Sequence, residues 1–218
     1  MPGTVIDDIE IIDAGRGGGT DVPAGGDDDG DRSGDGSAGT PRRAYFTAVQ
    51  LSLAGIVMFF MALTSSFLVR KGLGDDWVAF QLPQILWFNT VVLIASSVTI
   101  QVAKSELRRG EAASFRRWWG VTTGLGLLFL AGQLIAWRQL AAQGVFMVTN
   151  PSSSFFYLLT ALHGLHLMGG IVALGYVAAR NWQRSRITKP VAASLVSIYW
   201  HFMDGLWIFL LALLYLGR

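Results

Sequence analysis

The sequence predicts an all-α fold: an integral membrane bundle of five transmembrane helices, preceded by a disordered acidic tail. Three observations lead to it. The 218 residues are 52% hydrophobic and only 15% charged, with a mean hydropathy of +0.44, whereas soluble domains carry about 25% charged residues. Five apolar runs follow Tyr45, each long enough to cross about 30 Å of hydrocarbon at a rise of 1.5 Å per residue. The charge is also segregated. Residues 1–40 hold ten of the fifteen acids and two of the seventeen basic residues, a net −8, which leaves +10 on the remainder. With no cysteine, disulfide-stapled modules and zinc ribbons are excluded.

The tail, residues 1–44, comes first. Its first 40 residues are Gly-rich, free of aromatic residues and strongly acidic. Such a segment cannot bury enough apolar surface to offset its ordering entropy. It is expected to be solvated and cytoplasmic, with a docking segment for a basic partner as the alternative. It lacks the basic-then-apolar pattern of a secretory signal.

The membrane domain, 45–218, is expected to contain helices at about 45–69, 82–103, 117–141, 155–179 and 193–216. Lipid offers backbone groups no hydrogen-bond partner, so apolar runs of this length must be helical. Turn formers separate them: Gly72 and Gly74, Pro83, Gly110, Asn150-Pro151 with Ser152 to Ser154, and Pro190. Small-residue stripes at Gly120/Gly124 and Gly169/Ala173 suggest close packing. Trp118, Trp119, Trp137, Trp182 and Tyr45 stand near span ends, as in an interfacial belt.

Basic residues set the orientation. Arg42 and Arg43, five in the loop between spans two and three, and four between spans four and five give eleven on one side. Arg70, Lys71, Arg138 and Arg218 give four on the other. The positive-inside rule then places the N-terminus in the cytoplasm and the C-terminus outside. The alternation of these loops with spans argues for topology and against nucleic-acid binding.

Ionisable side chains inside the spans are few. His163 and His166 lie three apart in span four; His201 and Asp204 lie three apart in span five. Each pair shares a helix face. An ionisable group in hydrocarbon costs about 3 kcal/mol on insertion scales, so it normally points into a bundle and marks function. Two uses are open: a metal site of three imidazoles and a carboxylate, or a polar seam of interhelical hydrogen bonds touching lipid or a partner. Asn89, Thr90, Ser96, Ser97 and Gln133 fit the second use. Neither a nucleotide-binding glycine loop, a haem-attachment motif nor a nucleophilic triad is present. A small transporter is disfavoured, because five spans give no even inverted repeat.

The two seam segments carry a resemblance. Phe155-Phe156-Tyr157, continuing through Thr160, His163-Gly164-Leu165-His166 and Gly169-Gly170, resembles the "FY..TG.HGLHV..G" pattern of cytochrome c oxidase subunit III. Tyr199-Trp200-His201-Phe202-Met203-Asp204 resembles that family's "YWHFVD". Asn89-Thr90 with Ser96-Ser97 and Thr99 is similar to its "LNT..L..SS.T" helix. Gly126 to Trp137 is similar to its "LG..F...Q..E(Y/W)" helix. The resemblance covers about 45–218, in order.

It implies a five-helix form of subunit III in a haem-copper terminal oxidase of a bacterial-type plasma membrane, a complex that reduces O2 to water and pumps protons. This chain is then implied to be non-catalytic and cofactor-free. Haem and copper would sit in subunits I and II, with subunit I the main partner and phospholipid bound. The seam residues would be His163, His166, Trp200, His201 and Asp204. Two family acids are missing: Ile56 stands in place of the glutamate of "SEVMFF", and Ala136 in place of that of "Q..E(Y/W)". A quinol oxidase or nitric oxide reductase accessory subunit, or a stand-alone intramembrane metalloprotein, are the alternatives.

Overall fold

The computed structural model describes residues 42–73, 77, 81–181 and 190–217. Residues 1–41 of the tail, Gly74, Trp182 and the basic residues Arg184, Arg186, Lys189 and Arg218 fall outside the described residues, whereas Arg42, Arg43 and Ala44, expected in the tail, are helical. The described residues form five helices: α1 (Arg42–Leu73), α2 (Ile85–Arg109), α3 (Ala112–Ala142), α4 (Pro151–Asn181) and α5 (Pro190–Gly217). All five are long and apolar enough to cross a membrane.

Every helix outruns its apolar core. The 32 residues of α1 reach about 48 Å, well beyond the hydrocarbon thickness. The turns added to α1 and α2 carry basic residues, Arg70 and Lys71 in the first and Arg108 and Arg109 in the second. Glu106 illustrates this. It lies beyond the apolar run expected at 82–103 but within α2, where it pairs with Arg109 at 2.9 Å. So α2 does contain a carboxylate, in its last turn.

Local sequence explains the ends. Gly110 (φ 80°) closes α2 and Gly144 (φ 76°) follows α3, conformations that side chains with a Cβ disfavour. In each case the glycine N–H reaches back three residues and the next N–H reaches back five. The pairs are Gly110 to Leu107 at 3.2 Å and Glu111 to Glu106 at 3.1 Å, then Gly144 to Ala141 and Val145 to Leu140, both at 3.0 Å. These are Schellman closures. Asn150 caps α4 reciprocally: its Oδ1 accepts from Ser153 N–H at 3.0 Å, and Ser153 Oγ accepts from Asn150 N–H at 3.3 Å. Pro151 occupies the first helical position, where its missing N–H is harmless.

Helices α2, α3, α4 and α5 form a closed ring in which each touches the next and α5 returns to α2. The α2–α3 hairpin is the most extensive pairing. Helix α1 stands outside the ring and, among the described helices, touches only α4 and α5. Phe60 meets His166 of α4 (ring centroids 5.7 Å) and Phe67 meets Phe155 (5.6 Å). Lys71 Nζ donates to the Leu216 carbonyl at 3.2 Å, fastening the ends of α1 and α5 and occupying a carbonyl that the helix end leaves free.

Candidate functional site

The Tyr199–Trp207 segment of α5 supplies most of the candidate site. Trp200, Met203, Asp204 and Trp207 are all buried; their three- and four-residue spacing turns one face of α5 into the ring. Trp200 is fully buried and reaches three neighbouring helices. Its indole N–H donates to Ser96 Oγ of α2 at 2.9 Å, and Ser96 Oγ in turn donates to the Leu93 carbonyl at 2.7 Å. Its ring lies over Gly126 of α3 and Gly170 of α4. A methyl group at Gly126 would stand 2.7 Å from Trp200 Cη2, and one at Gly170 would stand 3.3 Å from Trp200 Cε3. Only glycine leaves room for the indole at the first of these.

Two turns along, the Trp207 indole donates to Thr90 Oγ1 of α2 at 3.0 Å and packs edge-on against Phe129 of α3 (centroids 4.8 Å). Between these points His201 Nδ1 and Ser97 Oγ are 2.6 Å apart. A ladder of three side-chain hydrogen bonds thus joins antiparallel α2 and α5. Further bonds close the rest of the ring: Thr99 with Thr122 (2.8 Å), Trp119 Nε1 to the Leu174 carbonyl (2.9 Å), Trp137 Nε1 to Thr160 Oγ1 (3.1 Å) and Tyr199 Oη to the His166 carbonyl (2.8 Å).

The histidines separate. His163 is fully buried, its ring set between Phe129 (5.9 Å) and Trp207 (5.2 Å). Neither ring nitrogen has a hydrogen-bond partner among the described residues. His166 turns back so that Nδ1 is 2.8 Å from its own helix's Leu162 carbonyl, with its ring toward α1. His201 is half-buried and faces α2. Asp204 is buried beside the Ser97 hydroxyl, and neither of its oxygens makes a hydrogen bond of ordinary geometry among the described residues. No three His, Cys, Asp or Glu side chains converge as metal ligands among the described residues. The donor set therefore does not fit a metal ion.

The two positions that lack a family acid differ in setting. Ala136 is fully buried in the inward stripe of α3, whereas Ile56 is half-buried where α1 meets the core. Asn89 and Gln133 are also buried without a hydrogen-bond partner among the described residues. Asn89 sits directly against Gly132, the residue before Gln133, and Phe129, one turn earlier, touches His163. Three unpaired polar heads from α2, α3 and α4 thus gather around one level of the ring.

Three sequence expectations are corrected. The close approaches occur at Gly126, Gly132, Gly170 and, against Phe67 of α1, Gly217, while added methyl groups at Gly120 and Gly124 would meet nothing within 4 Å. Trp119 does not face outward as a belt residue would; it is buried and bonded to α4. Among the polar residues expected to bind across helices, Asn89 and Gln133 make no such bond. The glycine contacts escaped notice because they depend on which tryptophan faces them, and spacing within one helix does not reveal that.

The fold and this layer define the class: a multi-pass helical membrane protein whose ring is tied by indole, hydroxyl and imidazole hydrogen bonds. Comparison with known proteins narrows it. The cytochrome c oxidase subunit III family matches residues 46–217. A Mycobacterium tuberculosis protein named "Probable cytochrome c oxidase subunit 3" is 36% identical over 172 residues, covering 76% of this chain and 84% of the relative. The cytochrome c oxidase subunit 3 of Synechocystis is 30% identical over 179 residues, covering 76% of both chains. That of Corynebacterium diphtheriae is 33% identical over 168 residues, covering 73% of this chain and 81% of the relative. The chain belongs to the cytochrome c oxidase subunit III family, and as such is a component of a multi-subunit oxidase.

Proposed function

We propose that this chain is a non-catalytic, cofactor-free scaffold of a haem-copper terminal oxidase that reduces O2 to water and pumps protons. Subunit I is its main partner and subunit II a further one, and these subunits carry the haem and copper. It supports the stability and sustained turnover of subunit I and holds phospholipid. It lies in a bacterial-type plasma membrane with its N-terminus in the cytoplasm and its C-terminus outside.

The observation that carries this reading is the family match across the whole membrane body, 46–217. The geometry supports the same role. Trp200 and Trp207 of α5 are buried and committed to hydrogen bonds with α2, an arrangement suited to holding the ring rigid. His201 is the exception in being half-buried beside Ser97, which suits contact with another subunit at that depth.

The test is purification of the tagged full chain in mild detergent, followed by a reduced-minus-oxidised spectrum. The expected result is copurifying subunits I and II with haem bands in the complex and none in the isolated chain. A stoichiometric metal or haem bound by the isolated chain overturns the reading.

A further inference from the structure

Three polar side chains meet at one level inside the ring. Asn89 of α2, Gln133 of α3 and His163 of α4 are buried, none more than 3% exposed. Their six polar side-chain atoms have no hydrogen-bond partner among the described residues. At other levels the ring is tied directly, by Trp200 to Ser96, Thr99 to Thr122 and Trp137 to Thr160.

Contacts across each helix pair set the level. The Asn89 amide fills the space that a Cβ on Gly132 would take, beside Gln133. Gln133 stands one turn from Phe129, whose ring meets that of His163 (5.9 Å). It stands one turn from Trp137 as well, whose partner Thr160 lies one turn before His163. Trp207 closes the fourth side. Its ring is 5.2 Å from that of His163, and its indole N–H is bonded to Thr90, the neighbour of Asn89.

The chemistry of the three heads selects the occupant. Each amide offers two N–H donors and a carbonyl acceptor, and a neutral imidazole offers one of each. An anion would leave the acceptors unmet and a cation the donors. Asp204, the one acid inside the ring among the described residues, stands beside Ser97, about two turns along α2 from Asn89. Phe129 and Trp207 are buried and flank the layer, so the occupant is small as well as neutral. Water fits: it donates and accepts, and a buried water makes about three hydrogen bonds to groups of this kind.

We propose that Asn89, Gln133 and His163 hold a cluster of about two internal waters, which ties α2, α3 and α4 together at this level. The cluster belongs to the ring of the chain itself and stands or falls apart from the oxidase reading.

The test is X-ray hydroxyl-radical footprinting of the full chain in nanodiscs, read by mass spectrometry. Water bound inside a protein is radiolysed in place and oxidises the side chains it touches. Trp207 and Trp119 are equally buried, but Trp119 lies away from this level, bonded to the Leu174 carbonyl. Trp207 should be oxidised several-fold faster than Trp119, and a radical scavenger in the buffer should not slow it. Asn89→Leu with Gln133→Leu removes four of the six polar atoms and should bring Trp207 down to the rate of Trp119. Equal rates in the unaltered chain would show the three heads bonding one another directly and overturn the proposal, even if the double variant fails to fold. Loss of Trp207 oxidation in the presence of scavenger, the mark of water leaking in from outside, overturns it too. So does an unchanged rate in a folded double variant.

Discussion

At the scale of single residues, Trp200 and the glycines around it decide how closely the ring can pack. Gly126→Ala drives a methyl group into the indole with no flexible neighbour to yield, so it should destabilise the bundle by about 1–3 kcal/mol. Gly124→Ala, in open space two residues away, should be neutral or gain up to about 1 kcal/mol from helix propensity. Thermal unfolding of the two variants in one detergent makes the comparison; equal shifts would remove the wedge from the account. The missing acids allow a second comparison. Ala136→Glu places a carboxylate at a fully buried position and should cost about 3 kcal/mol, by analogy with mid-membrane insertion. Ile56→Glu, half-buried at the α1 boundary, should cost less. Membrane yields of folded protein rank the two.

Residues also show what a sequence can reveal. Gly110 was legible as a helix end because a left-handed closure is a local demand on one residue. The pairs Trp200–Ser96 and Trp207–Thr90 were not, although Thr90, Ser96 and Trp200 were all in view. Each is separated by more than 100 positions, and only the return of α5 to α2 brings them together. The three inward- and outward-turned histidines were read as one group because residues three apart share a helix face. The structure divides them by rotation: His163 points into the ring, His166 toward α1 and His201 toward α2.

At the scale of elements, the helices differ in how they are held. Those of the ring are tied by side-chain hydrogen bonds, whereas α1 is held largely by Phe60 and Phe67 and by Lys71 at one end. Phe60→Ala combined with Phe67→Ala removes two fully buried rings, each worth roughly 3 kcal/mol or more. The expected outcome is a separate, early transition on heating, with the α2–α5 unit melting later. The absence of native cysteine makes the assignment direct, because a single cysteine on α1 and another on α3 can each be followed by thiol labelling. Simultaneous exposure of both would show that α1 and the ring are one cooperative unit. The five elements themselves were legible because apolar length alone forces a membrane helix. Their neighbours were not, since lipid-facing and helix-facing sides are both apolar and the pattern that marks a core in water is absent.

At the scale of the whole molecule, orientation and assembly are the open properties. Reporter fusions should show the region after α3, near Gly144, and the C-terminus on the outer side, with the α2–α3 connection at Gly110 in the cytoplasm. A cytoplasmic reporter at residue 144 would reverse the topology. For assembly, His201→Leu with Asp204→Leu removes the half-buried imidazole and the buried carboxylate beside Ser97. The complex should lose this chain during purification and shorten its turnover lifetime. Full subunit content with unchanged lifetime would remove the seam from the interface.

The position of α1 outside the ring also has a consequence in time. Its two partners, α4 and α5, are made after α2 and α3. At about 5–20 residues per second, the roughly 80 residues between the end of α1 and the start of α4 take roughly 4–16 s to synthesise. Throughout that interval α1 must remain in the bilayer alone, so its residence there rests on its own apolarity. Substitutions on its lipid-exposed side, such as a charge at Met58 or Leu68, would therefore be felt during synthesis, before any contact with the rest of the chain exists to compensate for them.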